Sequence, residues 1–478
     1  MRYVSTRGDS TPRSFSDILY EGFAPDDGLY LPQEYPKVTR EQLCLWKGLS
    51  YPSLAYEIVH LFAPELPKDL LWKLVNETYQ GDNFPNRRDW FRSDAVTPVT
   101  WLRGDDGIGL LELSNGPSLA FDDVAMQFLG RLFDHRPTKG TEPLNLIGAS
   151  TGDMGAAAAT AFADKEGINL ILLSPKGRMS DFQAAQLYSC PAKNVHNIEV
   201  DGTFDNCQDI VNTLLKDREY AKAHHLKSIN SVLWVRIMMQ VVYYFHAYLE
   251  AVQHCGEEIV FVVNAGNFGN AFAAWVAKLM GLPIMRLIIS TNENDAMDEF
   301  FRTGRYHPKP SNETIATSSP SADISRAANF ERFLFEVLGR DAARVRELMH
   351  DLEEKGEFEL TKDEFAKLRV CGAISGTSNH SNRLEMIEWM HVEYDIFVDP
   401  HTADTLFCGV YMHPVGVKTI CVESVSPVKF SPMIKMATGC TVELLDAFAD
   451  IYQRPVRKTT LPDDLETIRA EVNRLTGE

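Results

Sequence analysis

Two hydrophobic rhythms divide the chain. Over residues 53–62 and 70–79 apolar side chains return at helical spacing, after a turn reading Ala24-Pro25-Asp26-Asp27-Gly28-Leu29-Tyr30-Leu31-Pro32. The first 92 residues therefore predict a small α-rich domain. Beyond that the pattern becomes short apolar runs, each followed by a Gly-containing turn and a helix-like stretch. Residues 144–149 lead into Ser150-Thr151-Gly152-Asp153-Met154-Gly155 and an Ala-rich helix, 168–173 into Ser174-Pro175-Lys176-Gly177-Arg178, and 259–263 into Asn264-Ala265-Gly266-Asn267-Phe268-Gly269-Asn270 and a helix through Met280. Such alternation predicts βαβ units and a mostly parallel sheet, hence an α/β body over 93–478. No internal repeat is found. The tract 311–323, rich in Ser, Thr, Pro and Asn, predicts a loop, and 353–363 predicts a solvated surface; neither is expected to carry chemistry.

Composition narrows the function. The 478 residues suffice for two or three domains, and 47 basic against 66 acidic side chains give a net charge of −19. That excess repels phosphate backbones and anionic lipid, so nucleic acid and membrane surfaces are not expected partners. No apolar run is long enough to span a bilayer and the first residues do not read as a signal peptide, so a cytoplasmic setting is expected. Eight cysteines are scattered without a C-x-x-C pairing, which argues for reduced, mostly buried thiols and against a metal site. Monomer and homodimer both stay open.

In open α/β sheets, ligands sit outside the carboxyl ends of strands, where helix N-termini present N–H groups to anions. The turns at 150–155 and 266–270 fit that role, although a lone Gly-rich turn is equally a tight strand-to-helix connection.

A stronger signal is the order of whole motifs. Tyr3-Val4-Ser5-Thr6-Arg7-Gly8, Gly116-Pro117-Ser118-Leu119-Ala120-Phe121, Gly177-Arg178-Met179-Ser180, Gly202-Thr203-Phe204-Asp205-Asn206-Cys207-Gln208, Gly266-Asn267-Phe268-Gly269 and Asp399-Pro400-His401-Thr402-Ala403 follow one another as in the threonine synthase family, which the chain resembles over nearly its whole length. The resemblance implies pyridoxal phosphate (PLP) fold type II, tryptophan synthase β-like, over 93–478, with two parallel-sheet α/β subdomains, the smaller within about 143–235, behind a small N-terminal domain. It also implies a lyase of amino-acid biosynthesis that makes threonine from O-phosphohomoserine.

Departures from the family pattern cluster on the ligand-facing loops. The family's imine-forming lysine lies in Gly-Pro-Thr-Leu-Ala-Phe-Lys-Asp, so here its position holds Asp122. A carboxylate cannot form an imine with the cofactor aldehyde, and it repels the PLP phenolate, which argues against bound cofactor. Asn115 stands where the family has His, Met154 replaces a Thr of its Ser-Gly-Asp-Thr-Gly loop, and Asn264-Ala265 replaces Pro-Thr before the glycine turn. The retained groups make a cationic pocket for a small amino-acid-like anion. By resemblance, its candidate ligand residues are Asn115, Ser118, Ser150, Thr151, Asp153, Arg178, Arg236, Gly266, Asn267, Phe268, Gly269, Asn270, Lys429 and Ser424, the last near the pyridine nitrogen. Read without the family, Arg178 caps a helix, His401 is a core histidine and Lys429 a strand-end charge.

Asp122 is the candidate catalytic group, a general base whose burial favours the neutral form unless Arg178, Lys429 or a metal pairs with it. Asp123, its neighbour, is expected to be structural. Three functions follow: a repurposed enzyme acting on a phosphorylated or amino-acid-like anion, a non-catalytic pseudoenzyme or partner subunit, and a true threonine synthase that uses another lysine, Lys176 or Lys429.

Overall fold

The computed structural model describes residues 1–86, 96–102, 107–136, 140 and 142–477. Two sheets carry the body. The smaller runs Thr459–Pro462, Val195–Asp201, Ile168–Pro175, Leu144–Ala149, Leu226–Ser228, with every pairing parallel. The larger runs Ala373–Thr377, Ile284–Thr291, Ile259–Asn264, Thr419–Val422, Ile108–Leu111, Val99–Trp101, parallel except at its last pair. The α/β class expected from alternating runs and turns is the one observed. The strands buried on both faces read as continuous apolar runs because helices cover them.

The N-terminal unit is a short antiparallel pair, Tyr3–Ser5 with Tyr30–Pro32, and helices that include Tyr51–Phe62 and Lys68–Thr78. In the former, Leu54, Ala55, Ile58, Val59 and Phe62 form one buried stripe at helical spacing. That stripe meets the helix Trp234–Ala251, where the Phe62 and Trp234 rings lie 5.6 Å apart. Tyr3 joins the same contact, its hydroxyl donating to the Phe62 carbonyl at 2.7 Å. Trp234–Ala251 is apolar nearly all round, as suits a central helix, and Arg236 and Gln240 are buried polar exceptions. Among the described residues no helix is long and apolar enough to cross a membrane.

Two expectations need correction. The smaller sheet is not confined to 143–235, since Thr459–Pro462 adds its edge strand and the helix Leu465–Thr476 packs Ile468 and Val472 against its core. The tract 353–363 is only partly a solvated surface: Phe358 is buried against Tyr306 and Phe330, and Leu360 is buried beside them. The boundary expected at residues 92 and 93 lies outside the described residues.

Candidate functional site

The carboxyl ends of Leu144–Ala149 and Ile259–Asn264, strands from the two sheets, open onto one cavity of about 880 Å³ including its mouth. The start of the helix Asp122–Asp134 forms another wall. Its approach is pinned by backbone pairing. Ala120 bridges Val425, the Phe121 N–H donates to the Ser424 carbonyl at 3.0 Å, and the Ser426 N–H donates to the Leu119 carbonyl at 2.9 Å. Gly116 is required at the head of this segment, because a Cβ there would stand 2.4 Å from the Asp123 Cβ.

Asp122 faces the cavity and is paired with Arg236, whose guanidinium donates to Oδ1; both side chains are almost wholly buried. Burial pushes the Asp122 carboxyl up to about 6 and Asp153 adds to the rise, while Arg236 and Lys429 oppose it. The expected cations were Arg178 and Lys429, and neither is the partner. Arg178 lies exposed in the turn after Ile168–Pro175, and Lys429 is engaged elsewhere. Asp123 plays the structural part expected of it, accepting the Ser118 N–H at 2.8 Å.

A second buried pair stands at the cavity wall. The Lys429 ammonium donates to Asp153 Oδ1 at 2.8 Å, while Asp153 Oδ2 accepts from Gln183 Nε2 at 2.8 Å and Ser321 Oγ at 2.7 Å. Burial works to raise the Asp153 pKa, yet Lys429 and these donors together hold it below the usual aspartate value. The Ser321 N–H also donates to His401 Nε2 at 3.0 Å, and His401 Nδ1 bonds Asp399 at 2.7 Å, which assigns the proton to Nδ1. Burial would lower the His401 pKa, and the Asp399 carboxylate outweighs it and raises it. Ser321 belongs to the tract 311–323, so that loop does reach the site, contrary to expectation.

The glycine turn closes the other side. Gly266 has φ 42° and Phe268 φ 60°, both left-handed, and this bend delivers the first N–H groups of the helix Gly269–Met280 to the cavity. The amide of Asn267 is tied to Ser231 and Gln208, and Asn270 Oδ1 accepts from the Tyr243 and Tyr244 hydroxyls. These side chains brace the turn, leaving the backbone to meet an anion.

Of the candidate residues, Asp122, Ser150, Thr151, Asp153 and Arg236 line the cavity, together with Gly266, Asn267, Gly269, Asn270 and Ser424. Ser150 Oγ accepts from the Gly152 and Gly155 N–H groups at 2.9 and 2.7 Å, fixing its own loop. Five others do not line it. Asn115 bonds the Val96 carbonyl at 3.3 Å, Ser118 is buried beneath the Asp123 contact, and Arg178 is exposed. Phe268 turns into an aromatic cluster with Phe330 and Phe333, and Lys429 does not line the cavity but bonds Asp153, which does. Lys176 is exposed and pairs with Asp201 at 3.5 Å, so among the described residues no lysine lines the cavity.

The motif reading missed Gln240. It lines the cavity one turn beyond Arg236 on the same face, and the spacing of two polar residues in an apolar helix was the available signal. Three lining side chains hold buried polar atoms without a partner: Gln240 Oε1, Arg236 Nε and Asn264 Nδ2. A glycine turn, a helix N-terminus and the unpartnered donors Asn264 Nδ2 and Arg236 Nε fit the phosphate end of PLP or of another phosphomonoester, whereas Gln240 Oε1 is an acceptor. An imine with the PLP aldehyde needs an amine, and no lysine is among the described residues that line the cavity.

Comparisons with known proteins agree on ancestry. Residues 2–79 match the family description "Threonine synthase N terminus", 96–357 "Pyridoxal-phosphate dependent enzyme" and 409–472 "Threonine synthase, C-terminal". The chain is similar to a threonine synthase of Methylobacillus glycogenes, 42% identical over 470 residues and 98% of each chain. It is similar to "Threonine synthase-like 2" of Xenopus laevis, 30% identical over 98% of this chain and 97% of that one. The solved structure of PLP-bound threonine synthase from Brucella melitensis superposes over 100% of both chains with a TM-score of 0.89 at 37% identity.

Proposed function

Because the chain belongs to the threonine synthase family, with PLP fold type II, we propose that its cavity holds a phosphorylated, amino-acid-like anion and acts on it without a protein imine. One observation carries the reading: Asp122, paired with Arg236, stands in a cavity that no lysine lines among the described residues. PLP, where it is bound, supplies an electron sink through an imine, and nothing at 122 can make that bond. The chain's own groups support different work. The turn at 266–270 orients the phosphate, the Asp153–Lys429 pair and its donors keep the facing loop in place, and Asp122 accepts a proton from the ligand. A carboxyl whose pKa lies near 6 is well suited to that last role close to neutrality. On this reading the protein works in cytoplasmic amino-acid metabolism, a reducing setting that eight cysteines scattered without a C-x-x-C pairing suit. The Arg236 guanidinium also favours a second reading, a binding or partner protein without turnover, since it occupies one oxygen of the same carboxylate.

The test is an absorbance spectrum with added PLP, before and after borohydride reduction, followed by peptide mapping, with the Asp122→Lys variant alongside. No imine band and no reduced adduct are expected from the natural chain, and an adduct at residue 122 from the variant. An adduct at another specific lysine of the natural chain would overturn the reading and name the residue that replaces the family's lysine.

A further inference from the structure

Away from the cavity, the surface holds a thiol and a base in contact. Two of the eight cysteines are exposed, Cys44 and Cys440, and four are buried. In the remaining two, Cys190 and Cys371, burial pushes the thiol up and leaves less of it as thiolate. Cys44 stands beside a second thiol, Cys255, whereas Cys440 stands beside a base, its Sγ lying 3.4 Å from His391 Nε2.

The packing of two helices makes that contact. His380–Tyr394 and Ser431–Thr438 share one apolar cluster through Met386, Met390 and Ile434, which sets the last turn of the first helix beside the end of the second. Gly439, at φ 76°, turns the chain out of the second helix, and the Cys440 N–H donates to Thr438 Oγ1 at 3.0 Å, so its own backbone holds the thiol in place. The imidazole is held by its face, stacked on Phe397 with centroids 4.6 Å apart and planes at 16°. Its Nδ1 is buried without a hydrogen-bond partner, and Asp395 Oδ1 is 4.0 Å away. A proton on Nδ1 therefore faces the carboxylate and leaves Nε2 to accept the S–H.

We infer that Cys440 is a covalent modification site, a surface thiol that takes up a small disulfide with His391 as its base. The exchange balances. As Cys440 Sγ bonds to one sulfur of the disulfide, the S–S bond breaks and the S–H proton passes to His391 Nε2 and on to the departing thiolate. The products are a mixed disulfide at Cys440 and one free thiol. A base at hydrogen-bond distance speeds this attack by taking the proton as the new bond forms. No cavity residue takes part, so the inference stands apart from the function proposed above.

Iodoacetamide labelling of the full chain at pH 7, followed over time by peptide mapping, compares Cys440 with Cys44 in the same molecule. Cys440 is expected to be alkylated about tenfold faster, and glutathione disulfide to leave its adduct on the Cys440 peptide. His391→Phe keeps a ring to stack on Phe397 and removes the base. With its fold checked by melting, this variant is expected to bring the Cys440 rate down to that of Cys44. Equal rates for the two thiols in the natural chain would overturn the inference without any variant, and so would a Cys440 that stays fast in His391→Phe or takes no glutathione.

Discussion

Asp122 and Asp123 are adjacent in sequence yet burial acts on them in different settings. Asp122 has a guanidinium beside it, and Asp123 has the backbone N–H of Ser118. Both are raised to about 6, for Asp123 chiefly by burial against the lowering effect of the Ser118 bond. The sign of the stability effect follows. Between the ordinary aspartate value of 3.8 and about 6 the folded chain holds a proton that the unfolded chain has released, so stability falls as pH rises through that window and stays lower above it. Asn at 123 keeps an oxygen for the Ser118 N–H and carries no charge to bury. Asp123→Asn is therefore expected to gain on the order of 2 kcal/mol over the natural chain at pH 7.5, and almost nothing near pH 4. Urea unfolding at both pH values measures it. A loss at pH 7.5 would mean that the charged form of Asp123 is needed to hold the 116–121 segment.

At the level of elements, the loops that follow the strands hold the site in shape. Gly152 has φ 113°, and a Cβ there would lie 2.9 Å from the Gln183 Cβ and 3.1 Å from the Met179 sulfur. Gly152→Ala is therefore expected to lower stability by about 2 kcal/mol or more and to loosen the Gln183 bond to Asp153. Gly177→Ala is the control. Its φ of 68° is also left-handed, but nothing lies within 4 Å of the added methyl, so a loss of only about 1 kcal/mol is expected. Equal melting shifts for the two would show that backbone conformation alone, and not the packing of Gln183, sets the loss. The strand, turn and helix units themselves were legible in the sequence because each is written in a contiguous stretch of apolar run, glycine and amphipathic helix. The pairing of Asp122 with Arg236 was not, since the two are 114 residues apart and no local pattern records which distant cation a buried carboxylate meets. Phe268 shows the same limit from the other side. Its place in a ligand-type turn was plain, but the left-handed φ that makes the turn sends its ring into the core. Ser321 was hidden because a Ser- and Pro-rich tract reads as a loop and says nothing of what the loop touches.

Across the whole molecule, the chain returns at its C-terminus to complete the sheet that carries half of the site. Without Thr459–Pro462 the strand Val195–Asp201 would be an edge, with a row of unpaired backbone groups. The returning segment is fastened by side chains as well: the Lys458 ammonium meets Glu199 at 2.6 Å, Thr460 donates to Glu199 at 2.8 Å, and Thr476 Oγ1 bonds His224 Nδ1 at 2.7 Å. The helix Leu465–Thr476 then seals Ile468 and Val472 onto the cluster formed by Ile171, Ile198 and Val211. Removing residues 457–478 would uncover that cluster and the edge strand at once, in a sheet whose strand Leu144–Ala149 leads straight into the Ser150 and Asp153 loop. The shortened chain is expected to melt at a lower temperature, to bind a hydrophobic dye, and to lose affinity for phosphorylated ligands although no cavity residue has been deleted. Thermal melts with dye fluorescence, read beside a calorimetric titration with O-phosphohomoserine, measure all three. If melting and affinity were both unchanged, the C-terminal segment would be an appendage, and the smaller sheet would hold the 150–155 loop in position with its four remaining strands.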